Sequence, residues 1–276
     1  MKIIKGLLLL GKISIAFFKK DLIIDTSYRL QFLGRWIGIV ISVFTFYFIA
    51  QLIGGKSVYH LAPYGGEYFP FVLTGLATIG FLNANVSGYM GLVLGEQRYG
   101  TLEVFLSMPV TLPMILFALT FYNLVMGALA AAFYLFFGAW LGVDFSMANL
   151  FSYFFIMTLA TAIFLSLGII ASSLVLIFKR GDPISWIISN FFWLLGGVYF
   201  PVSIFPESIQ RFSSYIPSTY VFDAVRFSLL KGYSLFMLKD QIFALGIFTV
   251  PLLILAYATS RAAIFYAKKR GTIIFY

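Results

Sequence analysis

Few residues in this chain could carry chemistry, and their spacing excludes most of it. The single histidine, His60, falls in a stretch expected to be a loop, where a lone histidine is far more often incidental than catalytic. No cysteine is present, which removes disulfides, zinc–thiolate sites, iron–sulfur clusters and thiol nucleophiles. The sequence holds no nucleophile–base pair, no metal-ligand cluster and no phosphate-binding glycine loop followed by Lys-Ser/Thr. Neither a catalytic residue nor a metal ligand is expected, and no cofactor in this chain.

What remains is charge in an unusual place. The stretch "GLVLGEQRYGTLEVFLSMPVTLPM" sets Glu96, Arg98 and Glu103 between two long apolar runs. Taken as a helix over 96–108, Glu96, Tyr99, Gly100, Glu103 and Ser107 share one face. Thr101, Leu102, Phe105, Leu106 and Met108 share the opposite one. Pro109 marks its stop and Pro113 the start of the next element. Gly100 inside such a helix costs about 1 kcal/mol relative to alanine, a cost that close approach of another body would explain. Pattern alone leaves a solvated turn and a docking helix equally open.

The elements that must position this segment are membrane spans. The chain is 61% hydrophobic and only 11% charged, more apolar surface than a soluble fold could cover, so the expected class is an all-α polytopic membrane protein. Six stretches are long enough to cross about 30 Å of hydrocarbon: 36–53, 69–94, 112–141, 150–178, 184–200 and 241–267. The fifth is short and is expected to continue irregularly into the Gly/Pro-rich stretch that follows. No internal repeat and no linker to a second domain is visible, so 1–276 reads as one transmembrane domain.

Residues 1–30 do not read as a signal peptide, because Lys12 interrupts the apolar run and no small-residue cleavage site follows. They read as an amphipathic interfacial helix. Leu8, Ile15 and Leu22 recur every seven residues, with Ile4, Leu7 and Phe18 on the same face, and Lys5, Lys12 and Lys19 form an adjacent stripe toward anionic headgroups. A plain basic tail is the alternative. Six spans put both ends on one side, which then carries fourteen of the nineteen lysines and arginines. The positive-inside rule makes that side, with both termini and the Glu96 segment, cytoplasmic. The net charge of +9 thus marks a membrane face, and no nucleic-acid partner is expected.

The spans so bounded hold one charged side chain, Arg261, placed where it can snorkel. Ion-coupled transporters and pumps usually carry Asp, Glu, His or Lys at depth. Here the polar residues at depth are Asn83, Asn85, Asn123 and Asn190 with scattered Ser and Thr, which either bond between helices or line a pathway. If such a protein moves something uphill, the energy is expected to come from another subunit.

At this point the residues resemble a family. "GEQRYGTLEVFLSMPVT" is similar to the segment between the second and third spans of type-2 ABC transporter permeases, the exporter-type membrane subunits. The family pattern of Glu, then Gly-Thr-Leu-Glu, then a short run ending in Pro is matched by Glu96, Gly100, Thr101, Leu102, Glu103 and Pro109. Independently, "GGVYFPVSIFPESIQRFSSYIPSTYVFDAVRFSLLKG" (196–232) resembles the family's stretch before the last span, through Pro201, Pro206, Pro217, Thr219, Tyr220, Ala224 and Arg226. Ser218 and Val225 stand where leucine is commoner. The two motifs, in order and expected on opposite membrane sides, extend the resemblance over essentially the whole chain.

The resemblance implies a cytoplasmic coupling helix at 95–109, with Glu96, Arg98, Tyr99, Gly100, Thr101 and Glu103 toward an ATP-binding cassette subunit that would bring ATP and magnesium. It also implies a second permease copy, identical or not, and an N-terminal helix that braces the ATPase at the membrane surface. The stretch 200–232 is expected to be an external re-entrant gate. Backbone broken by Pro201, Pro206 and Pro217 must pack in protein or line a cavity, with Phe200 at its start. Ile209, Phe212 and Ile216 are expected on one side of a short helix, and Asp223 and Arg226 as a pair. A plain external loop is the alternative. The expected setting is the plasma (inner) membrane of a prokaryote, since no ATPase domain is fused. A drug or lipid is the expected cargo, and lipid-linked polysaccharide the alternative. An ATP-independent channel or scaffold is the reading of another class, and an intramembrane enzyme lacks its residues.

Overall fold

A computed structural model describes residues 2–53, 59–98, 112–178, 190 and 193–270. Among these the chain is helical, without strands. Helix α1, Lys2–Ser27, is followed after a bend at Tyr28 by α2, Arg29–Leu52. A 3₁₀ turn, Tyr59–Tyr64, leads into α3, Tyr68–Arg98. Then come α4, Leu112–Trp140, and α5, Leu150–Phe178. Two shorter helices, α6 (Glu207–Ser213) and α7 (Pro217–Leu230), precede α8, Lys239–Arg270.

Five of these helices are long and apolar enough to cross a membrane: α2, α3, α4, α5 and α8. Most of the sixth expected span, 184–200, lies outside the described residues. Where the chain is described again, the helix ends at Leu195 and Gly197 takes φ +84°. The helical part thus stops short of the expected Phe200, because a left-handed residue costs glycine nothing and ends the helix there.

The helices have unequal places. α3 packs against α4, α5 and α7, and 78% of its 68–86 segment is buried, against 11% for the α2 window and 17% for that of α8. α3 is therefore the central helix, and α2 and α8 turn most of their side chains outward. Exposed Leu30, Ile37, Ile41 and Phe48 on α2 and Phe243, Ile254 and Phe265 on α8 suit hydrocarbon, where an apolar residue gains nothing by facing inward. Close approach to α3 relies on glycine: a Cβ on Gly127 of α4 would lie 3.1 Å from Ala84 Cβ, and one on Gly168 of α5 3.1 Å from the Asn85 carbonyl.

Four of the buried hydroxyls are satisfied within their own helices. Thr74, Thr78, Ser166 and Ser173 each donate to a carbonyl three or four residues back in their own helix. Among the described side chains of α1, Ser14, Phe17 and Asp21 are buried, while Ile15 is 54% exposed. Phe18 meets Phe121 and Tyr122 of α4 at 6.1 and 5.6 Å between ring centroids.

Candidate functional site

The helix bundle has two polar ends. One holds the 3₁₀ turn, the start of α3 and helices α6 and α7, and is called here the gate end. The other holds the α1–α2 bend and is called the elbow end.

At the gate end the chain leaves Gly197 and meets Pro201, φ −63° and ψ 140°, then a 3₁₀ turn over Val202–Ile204. Pro206 stands before α6 and Pro217 opens α7, where a proline's missing N–H costs nothing. Irregular backbone must be satisfied locally, and it is. Gln210 Nε2 donates to the Phe205 carbonyl at 2.7 Å, Thr219 Oγ1 to that of Ser213 at 2.9 Å, and the Tyr220 hydroxyl to that of Ser214 at 2.9 Å. α6 packs through Ser213, with Ile216 buried just beyond it. Of the three residues expected on one side, Ile216 is buried, Ile209 half-buried and Phe212 53% exposed. Phe200 is half exposed, Pro206 exposed, and Pro201 and Pro217 buried.

Ten residues of α7 are buried, among them Arg226 at 1% exposure. Its Nε donates to the Phe71 carbonyl at 3.2 Å, and its Nη2 to the carbonyls of Gly197 and Val198 at 2.8 and 2.9 Å. The guanidinium lies 3.5 Å from the Phe71 ring centroid. One side chain thus joins α7, the first turn of α3 and the glycine turn. Burial lowers its pKa to about 10, with Asp223 and Tyr64 opposing the shift, so it stays charged at neutral pH.

Asp223 does not form the expected ion pair with Arg226. Its Oδ1 accepts a 2.7 Å hydrogen bond from the Tyr64 hydroxyl, because the guanidinium is already turned toward backbone carbonyls. Desolvation raises the Asp223 pKa, against the Tyr64 hydrogen bond and the Arg226 charge, which lower it. Tyr64 stacks on Phe227 at 5.3 Å, and Phe227 on Tyr233 at 5.1 Å. Gly75 completes the cluster: a Cβ there would lie 2.8 Å from the Val198 carbonyl and 3.0 Å from Arg226 Nη2. Tyr64, Phe71, Gly75 and Gly197 escaped sequence reasoning. Only the Gly-Gly pair before Phe-Pro gave a local hint of the turn.

The candidate pathway residues differ in burial. Asn85 is fully buried and donates Nδ2 to the Phe81 carbonyl of its own helix, leaving its amide oxygen without a partner. Asn83, Asn123 and Asn190 are half-buried, and no hydrogen bond joins Asn83, Asn85 and Asn123 to one another. Nor do the described residues include a group of acids and histidines able to hold a metal ion.

At the elbow end, α3 continues unbroken to Arg98. Glu96 and Arg98 are therefore on the last turn of a long helix, not on a separate helix beginning near Glu96. Tyr99, Gly100, Thr101 and Glu103 lie outside the described residues. Nearby sequence reasoning missed a second cluster. Asp25 of α1 forms a 3.0 Å ion pair with Arg35 of α2 and accepts a hydrogen bond from the Tyr122 hydroxyl of α4. These residues are 10 and 97 positions apart from Asp25, and no local pattern signals the second contact.

A buried arginine thus clamps the proline-broken segment of the second motif just before the last span. A search of curated proteins returns no match. The family model described as ABC-2 type transporter matches residues 16–230, a range that takes in α1 beyond its first turns, the Gly-Thr-Leu-Glu segment and the whole gate end. The chain belongs to the ABC-2 type transporter family and is a type-2 ABC transporter permease.

Proposed function

We propose that this chain is the membrane subunit of an ATP-driven exporter, with the elbow end cytoplasmic and the gate end external. In this reading it moves a hydrophobic or amphipathic cargo, a drug or a lipid, out across the membrane. The observation that carries the reading is the family match over residues 16–230. Permeases of this family generally work with an ATP-binding subunit and dimerise. The chain itself performs no catalysis. ATP and magnesium belong to the partner, and this chain supplies a conduit with two arrangements.

The elbow supports a mechanical route. α1 is tied to α4 by the Phe18 contacts and to α2 and α4 by Asp25. An ATPase that presses on α1 and on the segment after Arg98 therefore pushes on α2, α3 and α4 together. At the gate end Arg226 makes α7, α3 and the Gly197 turn move as one piece. A cavity of about 380 Å³ favours an apolar cargo. It lies between α4 and α5, walled by Phe81, Leu135, Tyr153, Phe154 and Met157. The hydroxyls of its Thr158 and Thr161 are satisfied within their own helix.

The test is co-purification with the ATP-binding subunit, followed by ATPase assays of the complex in lipid. Glu103→Arg, or deletion of 96–107, is expected to abolish association. Drugs and lipids are expected to stimulate hydrolysis by the intact complex. Stable ATP-independent conduction by the purified chain alone would overturn the exporter reading. Stimulation by lipid-linked glycans only would overturn the cargo class.

A further inference from the structure

A second cavity, of about 240 Å³, lies at the gate end away from the Arg226 cluster, between the end of α2, the start of α3 and the end of α4. Its floor is the buried pair Phe69 and Val143. Tyr47 and Tyr68 are its aromatic walls, with the Tyr47 and Phe69 rings 5.3 Å apart and nearly perpendicular. Glu67 and Gln51 are exposed at its mouth. Among the described residues, no lysine or arginine lines it.

The backbone presents Glu67 there by design of the turn. Gly65 and Gly66, at φ +114° and +85°, reverse the chain, their N–H groups bonding to the carbonyls of Ala62 and Leu61. Glu67 then stands directly before the first turn of α3, where the helix dipole favours a carboxylate. On the facing side Gly142, at φ +97°, ends α4 and bends the chain away from the opening. Both turns need left-handed backbone that other residues adopt only at a cost. Glu67 has neither an ion pair nor a hydrogen bond among the described residues.

Aromatic faces carry negative potential, and a carboxylate at the rim adds a full charge to it. An apolar floor accepts methyl or methylene groups. These features together suit a substituted ammonium group and repel anions. We infer that this cavity binds an alkylammonium headgroup, with Glu67 at the charge and Tyr47 and Tyr68 against its carbons. The occupant is either the ammonium of a membrane lipid or that of a cationic amphiphile. The site concerns this chain alone, so it stands or falls independently of the ATPase partner.

The experiment measures equilibrium binding of radiolabelled dodecyltrimethylammonium to the full chain in phosphatidylglycerol nanodiscs, with empty discs subtracted. Saturable binding is expected. Glu67→Gln is expected to weaken it about fivefold, the scale of one exposed charge contact, and Glu67→Lys to abolish it. Tyr68→Ala is expected to weaken it about threefold, while Tyr68→Phe, which keeps the ring, leaves it unchanged. Because the tyrosine pair leaves the charge untouched, it carries the test even if a Glu67 variant fails to fold. Adding phosphatidylethanolamine separates the sources: displacement identifies a lipid headgroup, and persistence a free amphiphile. No saturable binding, or equal affinity in Glu67→Gln and the parent chain, or equal competition by dodecyl maltoside, overturns the inference.

Discussion

The two polar ends of the bundle each join three segments through a cluster that holds an arginine, but in opposite regimes. Arg226 is 1% exposed and is held by three backbone carbonyls. Arg35 keeps 38% of its side chain exposed and is held by one carboxylate, shared with a tyrosine. A desolvated cation must be satisfied on every side, so the gate arginine fixes one arrangement or none. A partly solvated ion pair can trade its partner for water, so the elbow can open and close at small cost. In the proposed exporter, pushed from one end and sealed at the other, that division would have a use. Substitutions on the two sides should differ accordingly.

The largest effect belongs to Arg226→Ala. It takes the Arg226 donor from the carbonyls of Gly197 and Val198, leaves that of Phe71 with the Thr74 hydroxyl, and removes the charge over the Phe71 ring. Breaking a buried charged network costs about 3–5 kcal/mol, enough for the protein to be recovered poorly or with a much lower thermal midpoint in detergent. Arg226→Lys keeps the charge but replaces a planar fork by a single ammonium. It is expected to recover only part of the loss. An unchanged midpoint for Arg226→Ala would remove the distinction between the two ends.

Next comes Gly75→Val. The first added carbon would sit 2.8 Å from the Val198 carbonyl and 3.0 Å from Arg226 Nη2, so either the turn or the guanidinium must move. Overpacking of this kind costs about 1–3 kcal/mol. Gly246 on α8 is the control, since a Cβ there meets nothing within 4 Å. Gly246→Val should leave the thermal midpoint nearly unchanged. Similar shifts for the two variants would mean that the Arg226 cluster is not tightly packed.

At the elbow, Tyr122→Phe removes one donor from Asp25 and leaves the Arg35 pair in place. The expected stability change is about 1 kcal/mol, smaller than either gate variant. If α1 transmits the push of an ATPase, the same substitution should lower the cargo-stimulated part of hydrolysis more than the basal part. A gate-sized loss of stability with coupling intact would reverse the roles assigned to the two ends.

The same contrast explains what could be read from the sequence. Spans are written as long apolar runs, so α5 falls at 150–178 as expected and α3, α4 and α8 within a few residues of their expected ends. Arg226 was visible because a charged residue follows a proline-rich stretch and fits a family pattern. Its partners were not, because carbonyl oxygens belong to every residue type and leave no mark in a sequence. Which residues of α1 pack on α4 was not legible in its apolar heptad, because a lipid boundary solvates Ile15 as well as a core does. Among the described side chains of α1, Ser14, Phe17 and Asp21 are the buried ones, and Phe18 pairs with Tyr122. The Asp25–Tyr122 contact spans 97 residues, and only packing of α1 on α4 creates it.

The smallest effect should come from a charge pair at the gate end itself. Glu207 and Arg211 of α6 are four residues apart, 3.6 Å from each other, and more than four-fifths exposed. Each already has water, so joining them gains little, and the pair is screened by salt. Glu207→Ala is expected to change stability within about 0.5 kcal/mol, with any difference vanishing at high ionic strength. Proximity to the gate therefore confers no weight on a charge. Burial does, and Arg226 and Arg211, fifteen positions apart in one motif, make the comparison inside a single segment. A thermal midpoint that fell as far for Glu207→Ala as for Arg226→Ala would show that the gate end is held by its surface charges. The desolvated arginine would then have no special claim.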